Sequence, residues 1–479
     1  MSDSDWSQGY VTDASYPDKF FRELSPTWLN YVAALNGAAP HDLDRPFTYL
    51  ELGCGFGHST IANAGAFPHA EFHACDFNPQ HVEGGRRNAA ALGIANVRFH
   101  RASFEELLEQ DLPGFDFITL HGVYSWVDAA ARGAIRDVIR DQINPGGLVY
   151  LSYNCLPGWA SEVPLRRLLL ELAATESGDS AERSQAALQS LQQLRAGKLR
   201  FFAANPEAQN AIDAYAKGPS NYLAHEFLNR TWEPFYCIDV ADELAQSDLT
   251  YLGSATFADN HQPLIVDELA AAAAAKLPTL RQRRLAIDFA ANQRFRRDVF
   301  VRGRADLPPA DIARNLNAIV IGSLGDPLKI GTKARVPRGE IRFQDDFIHE
   351  LRQLMLRGSF TIGEAVAALG GAGRDATELT RNLIYLVAAG TLTPFASAFR
   401  RDPAGKPRRA ANATVEAALA LVLEQQAPRA IPSRILGNGF QIGPREALGL
   451  SELFAASADI ANDVTDDLVP TLARLGLVA

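Results

Sequence analysis

Only four cysteines, Cys54, Cys75, Cys155 and Cys237, occur in 479 residues, and no two form a CxxC pair. That spacing excludes zinc-type ligand sets and gives no reason to expect a disulfide framework. Long apolar runs are also missing. The longest, Leu269 to Ala275, is mostly alanine and reads as a helix surface, far short of a membrane span. Positive charge is in deficit, 46 basic against 56 acidic residues for a net −10, so the chain has no bulk attraction to nucleic acid or anionic lipid. The first ten residues, MSDSDWSQGY, lack the basic and apolar regions of a signal peptide, which leaves a cytoplasmic protein as the expectation. No low-complexity tract or internal repeat is present.

What the chain does have is an ordinary globular composition, 47% hydrophobic and 21% charged, and a length that predicts about three domains. Residues 1–46 read as a helical arm, with Phe20, Phe21, Leu24, Trp28, Tyr31 and Val32 near helical spacing. From Phe47 the period changes. Strands are expected at 47–51, 71–76, 97–100, 115–120 and 147–153, with helices at 59–67, 80–92, 103–110 and 129–142 between them. Strands alternating with helices predict an α/β domain, a parallel sheet with crossover helices.

Past Tyr153 helices dominate: 163–174, 181–203 and 264–294, with a strand at 249–257. Three helices at 346–357, 361–369 and 375–390 and a short strand at Thr391–Pro394 suggest a winged-helix-like module. The expected domains are 1–46, 47–215, 216–310 and 311–479.

The first strand runs into Glu51-Leu52-Gly53-Cys54-Gly55-Phe56-Gly57, and a helix opens just after it. Glycines there let the chain turn tightly and let a ligand approach the main chain and the helix N-terminus. The spacing is GxGxG, which argues against a dinucleotide pyrophosphate site. The second strand ends on Asp76, placed to accept both hydroxyls of a ribose.

Loop, acid and strand order resemble a class I S-adenosylmethionine-dependent methyltransferase over roughly 47–153, with the Rossmann-like fold that this implies. The resemblance implies S-adenosyl-L-methionine as cofactor. It sets Glu51, Gly53, Cys54, Gly55 and Gly57 around the amino-acid moiety, Asp76 on the ribose, and Phe77 and Asn78 beside the adenosine. Ser103 and Phe104 fall at the adenine edge, where many relatives carry an acid in place of Ser103. Asn144-Pro145-Gly146-Gly147 matches the family's turn before the fifth strand.

Four further motifs resemble methyltransferases with a methyltransferase regulatory domain, among them bacterial lysine methyltransferases of outer-membrane proteins. They are residues 9–13, residues 20–26 (Phe20-Phe21-Arg22-Glu23-Leu24-Ser25-Pro26), residues 121–126 (His121-Gly122-Val123-Tyr124-Ser125-Trp126) and residues 152–159. By that likeness the regulatory domain covers about 221–304, including Tyr222 to Leu228. The implied partner is a methyl-accepting protein.

His121 is expected as a cofactor contact and, less readily, as a catalytic base. Tyr124 and Tyr153 are expected to surround the methyl-transfer point and Asn154 to orient an amine. Trp126 either walls that channel or packs in the core, and Trp159 and Tyr16 read first as packing residues. A lysine nucleophile must lose a proton, since its reference pKa is near 10.4; Asp13, Glu23 and Glu226 are candidate acceptors. Residues 276–304 hold nine basic and two acidic side chains, read either as a solvated helix face or as a dock for an acidic substrate. The alternatives in function are a small-molecule methyltransferase of specialised metabolism and a cofactor-binding scaffold without turnover.

Overall fold

The first-half strands are apolar on both faces. Tyr49, Leu50 and Leu52, then Phe72, Ala74 and Cys75, then Phe115, Phe117, Ile118 and Leu120 are all fully buried. Strands of that kind need cover on both sides, which crossover helices supply in a parallel sheet. In the computed structural model, which describes residues 19–197, 199–218, 220–398, 412–425, 429–455, 465–475 and 477, they form it. Helix α1 (Pro26–Leu35) precedes β1 (Thr48–Leu52), α2 (His58–Ala66), β2 (Glu71–Asp76), α3 (Pro79–Ala91) and β3 (Val97–Arg101). Then come α4 (Phe104–Leu108), β4 (Phe115–Leu120), α5 (Ala129–Gln142) and β5 (Ile143–Asn154). Strand β5 starts four residues earlier than its apolar run, because Ile143 pairs with Phe115 across a register shift.

Two strands from the segment expected as a separate regulatory domain join this sheet: β6 (Leu249–Ser254) and β7 (Phe295–Arg302). The order is β3-β2-β1-β4-β5-β7-β6. Strand β7 pairs antiparallel with both neighbours and alone runs against the rest. A boundary near residue 216 therefore does not separate two cores.

Among the described residues, six helices lie between β5 and β6: α6 (Val163–Ala173), α7 (Ser180–Ala196), α8 (Arg200–Ala204), α9 (Pro206–Tyr215), α10 (Ser220–Phe227) and α11 (Cys237–Ala245). The single helix expected over 181–203 is broken after Ala196. Leu165, Leu191, Phe202, Ile212 and Phe227 build a small core of their own in this insertion.

Downstream, the hairpin of β9 (Lys333–Val336) and β10 (Gly339–Arg342) follows β8 (Val320–Gly322). The three expected helices stand at Asp345–Met355, Ile362–Leu369 and Ala376–Ala388. Strand β8 lies between β11 (Phe360–Thr361) and β12 (Thr393–Phe395) in a small antiparallel sheet.

The last hairpin, β13 (Arg429–Ser433) and β14 (Asn438–Ile442), packs on α2, so closely that a Cβ on Gly65 would meet Pro432 at 2.6 Å. The Gly437 carbonyl accepts from Ser25 Oγ at 2.6 Å and Thr27 Oγ1 at 3.1 Å. One core thus runs from the N-terminal segment through the sheet into the C-terminal module.

The basic stretch 276–304 divides: Lys276, Arg281 and Arg304 are exposed, as a solvated face would have them, but the part in β7 is not. Its last third is β7, and Arg296 is buried, donating to Asp288 Oδ1 at 2.6 Å and Asp298 Oδ2 at 2.9 Å. Arg294 pairs with the buried carboxylate of Glu162. Charge alone predicted exposure, but two paired carboxylates let Arg296 sit inside. Removing one partner of a buried pair strands the other: Asp298→Ala destabilises the fold by about 3–5 kcal/mol, read as a lowered midpoint in urea unfolding followed by tryptophan fluorescence.

Candidate cofactor and methyl-transfer site

The glycine loop after β1 turns because three residues accept left-handed backbone: Gly53 (φ 69°), Gly55 (φ 54°) and Gly57 (φ 69°). They do so for different reasons. A Cβ on Gly53 would strike Val123 at 2.5 Å, and one on Gly57 would strike Phe99 at 2.6 Å. At Gly55 a Cβ meets nothing within 4 Å, because that residue faces open cavity.

Asp76 fixes the loop from the neighbouring strand. Its Oδ2 accepts the Gly55 N–H at 2.9 Å, and its Oδ1 accepts the Asn78 N–H at 2.9 Å with His81 Nδ1 at 3.2 Å. The carboxylate remains on the cavity wall. Glu51 also lines it, bonded by the Thr60 hydroxyl, and burial pushes its pKa up to about 7.

The cavity holds about 180 Å³ and opens at the carboxyl ends of β1, β2 and β4, the edge where open parallel sheets bind ligands. Gly53, Cys54, Gly55, Phe77, Ser103, Phe104 and His121 line it with Glu51 and Asp76. Ser103 also caps α4, accepting the Glu106 N–H at 3.2 Å. Two expected cofactor residues stand behind the wall: Gly57 packs on Phe99, and Asn78 caps α3 by accepting the Gln80 N–H at 2.9 Å. Their work is to shape the loop and helix.

Sequence reasoning missed, among other lining residues, Lys19, Phe21, Phe56, His58, His81 and Thr231. Phe56, His58 and His81 flank the glycine loop and the ribose-side acid, so local proximity could have found them. Lys19, Phe21 and Thr231 arrive by tertiary folding; the motif at 20–26 singled out Phe21, but nothing local in it placed the ring at the cavity.

At the β4 end the Phe21 ring stacks on His121, centroids 3.8 Å apart, and His121 Nδ1 lies 2.8 Å from the Tyr150 hydroxyl. Burial, then Arg297 and Lys19, pull the His121 pKa down to about 3. Its imidazole is neutral at physiological pH and a poor base. Trp126 walls the cavity beside it.

The expected catalytic tyrosines are elsewhere. Tyr124 is fully buried and donates to Glu243 on α11; burial, then that carboxylate, pushes its pKa up. Tyr153 is 1% exposed and donates to Asp298 Oδ2 at 2.7 Å. Asn154 is buried in β5, with its N–H on Ser125 Oγ at 2.9 Å. Their motifs do reach the ligand edge, but Tyr124 sits in the short helical turn after β4 and is drawn to Glu243 on α11, while Tyr153 on β5 is drawn to Asp298 on β7. Trp159 packs on Trp232 beneath Arg294. Asp13, Tyr16 and the motif at 9–13 lie outside the described residues, and Glu226 sits on α10.

The different surroundings of the glycines separate binding from folding. Gly55→Ala weakens cofactor binding in calorimetry and lowers stability only by the left-handed strain of about 1–2 kcal/mol. Gly57→Ala adds the collision with Phe99, so its thermal midpoint falls further than that of Gly55→Ala.

Comparison with known proteins agrees with this geometry. Residues 43–204 match the family described as "Methyltransferase domain". Residues 219–302 match "Predicted methyltransferase regulatory domain", the stretch that supplies β6 and β7. An uncharacterized protein of Synechocystis sp. is 34% identical over 443 residues, 92% of this chain and 87% of that one. A Rickettsia prowazekii protein is 28% identical over 288 residues, 59% of this chain and half of its own length. In solved structures, PKMT2 from Rickettsia typhi in complex with AdoHcy superposes with a TM-score of 0.71 at 18% identity, over 97% of this chain and all of that one. The chain belongs to the class I S-adenosylmethionine-dependent methyltransferases that carry a methyltransferase regulatory domain, and S-adenosyl-L-methionine is its cofactor.

Proposed function

We propose that this enzyme N-methylates lysine side chains of a protein acceptor. The observation that carries the reading is the extent of the likeness to PKMT2. It covers 96% of both chains and so takes in the helical insertion and the C-terminal module as well as the cofactor domain. Those are the elements that bound the acceptor side.

The residues on the cavity wall fit the cofactor. Asp76 is assigned to the ribose hydroxyls, since its Oδ2 holds only the Gly55 N–H and keeps lone-pair capacity toward the cavity. Glu51 faces the cofactor's amino group, Gly53, Cys54 and Gly55 leave room for the amino-acid moiety, and Phe77, Ser103 and Phe104 bound the adenine. When bound, the cofactor supplies an electrophilic methyl group on a sulfonium. Phe21, His121 and Trp126 surround the far end, excluding water and orienting the amine. A neutral His121 adds no positive charge next to a cationic cofactor and a basic acceptor. Aromatic faces attract such cations by about 0.5–2 kcal/mol. Positioning of this kind, with the reactants held in near-attack geometry, supplies about 7–11 kcal/mol of a barrier.

Incubation with methyl-labelled cofactor and bacterial lysate tests the acceptor class: acid hydrolysates of labelled protein contain methylated lysine. Label confined to small molecules rejects the reading. The Glu51 assignment has a pH signature. As pH falls through about 7 the carboxyl takes up a proton and loses its attraction for the cofactor's ammonium, so affinity falls. In Glu51→Gln, titration calorimetry gives weaker binding above pH 7 and a flattened pH profile.

A further inference from the structure

A second chamber of about 420 Å³ lies between the N-terminal segment and the C-terminal module. Phe20, Phe21, Arg22 and Glu23, four consecutive residues of the motif at 20–26, help to line it, with Trp28, Phe440 and Gln441. Phe21 is also on the wall of the cofactor cavity, where its ring stacks on His121. Its N–H donates to Ser59 Oγ at 2.9 Å, so the segment is pinned to α2 between the two spaces. One aromatic side chain divides the chamber from the β4 end of the cofactor site.

We propose that the acceptor's lysine side chain enters through this chamber and meets the cofactor past the edge of Phe21. The inference rests on the lysine reading and adds the route and the residues that recognise the cation. The chemistry of the walls fits an aliphatic stem ending in an ammonium. Phe20 and Phe440 offer apolar rings, and Glu23 offers a carboxylate with 18% of its side chain exposed. Arg297 Nε stands 3.8 Å from Glu23, beyond hydrogen-bond distance, which leaves that carboxylate able to accept from a closer donor. The Trp28 ring is itself covered, by Phe257 stacked at 4.1 Å and by the Arg22 guanidinium 5.0 Å from its centroid, so an entering ammonium is drawn to Glu23 and Trp28 serves as the reporter beside the path. Asn438 Nδ2 holds the Arg22 carbonyl at 2.9 Å, so β14 sets the width of the entrance. The C-terminal module thereby becomes the outer wall of the acceptor path.

The test uses the full chain and two readouts. In the first, n-butylammonium, a lysine side-chain mimic, is titrated against tryptophan fluorescence, with Trp28→Phe identifying the reporting ring. A saturable change is expected with n-butylammonium and not with n-butanol, weakened about tenfold in Glu23→Gln, as for loss of a charge-assisted hydrogen bond. In the second, Gln441→Trp narrows the mouth at an exposed position. It raises KM severalfold for a library of single-lysine peptides while AdoHcy affinity stays unchanged. No response of Trp28 to n-butylammonium, equal response to n-butanol, or an unchanged KM in Gln441→Trp overturns the route and leaves lysine methylation standing. Failure of the wild-type enzyme to label any lysine, in peptides or lysate, overturns the lysine reading itself.

Discussion

The carboxylate of Asp76 holds the site together. It ends β2, yet it binds the N–H of Gly55 in the loop after β1 and the N–H of Asn78 at the start of α3. Two adjacent strands are thereby locked at the ligand edge, with their loops aimed at one space. The positive φ values of Gly53, Gly55 and Gly57 are tolerable because glycine lacks a Cβ, and they become definite because Asp76, Val123 and Phe99 leave the loop little alternative. An acid that orders the protein before any ligand arrives is preorganised for the hydroxyls it is assigned to hold.

Around this fixed edge the chain wraps in an order unlike its sequence. The insertion after β5 contributes Thr231 to one rim of the cavity, and Lys19 and Phe21 come from the other end of the protein. The C-terminal hairpin reaches back to α2, where Arg429 Nη1 approaches His58 Nδ1 at 3.0 Å. His58 is itself on the cavity wall. Cofactor site, N-terminal segment and C-terminal module therefore share one packed body, and the first turn of α2, just after the loop, carries contacts from both ends of the chain.

Burial decides the electrostatics. His121 is held neutral, with its pKa down at about 3, whereas Glu51 is poised with its pKa up at about 7. Desolvation is the leading cause of both shifts, acting with opposite sign on a base and an acid because it always penalises the charged form. The same penalty explains why Arg296 needs two carboxylates to exist inside the sheet.

The sequence by itself determined the five parallel strands, their crossover helices, the glycine loop and Asp76. Each depends on local periodicity or on backbone freedom at single residues, and these survive any tertiary arrangement. The cofactor wall was legible for the same reason, since its residues sit at strand ends. Only the tertiary structure decided the rest. The direction of β7, the inward turn of Tyr153 onto Asp298, and the burial of Arg296 follow from which strand lies beside β5. That pairing joins residues about 150 apart, such as Leu148 and Val301, and no local pattern encodes it. Phe21 reached the methyl end in the same way, through packing against His121 that its own helical spacing could not announce.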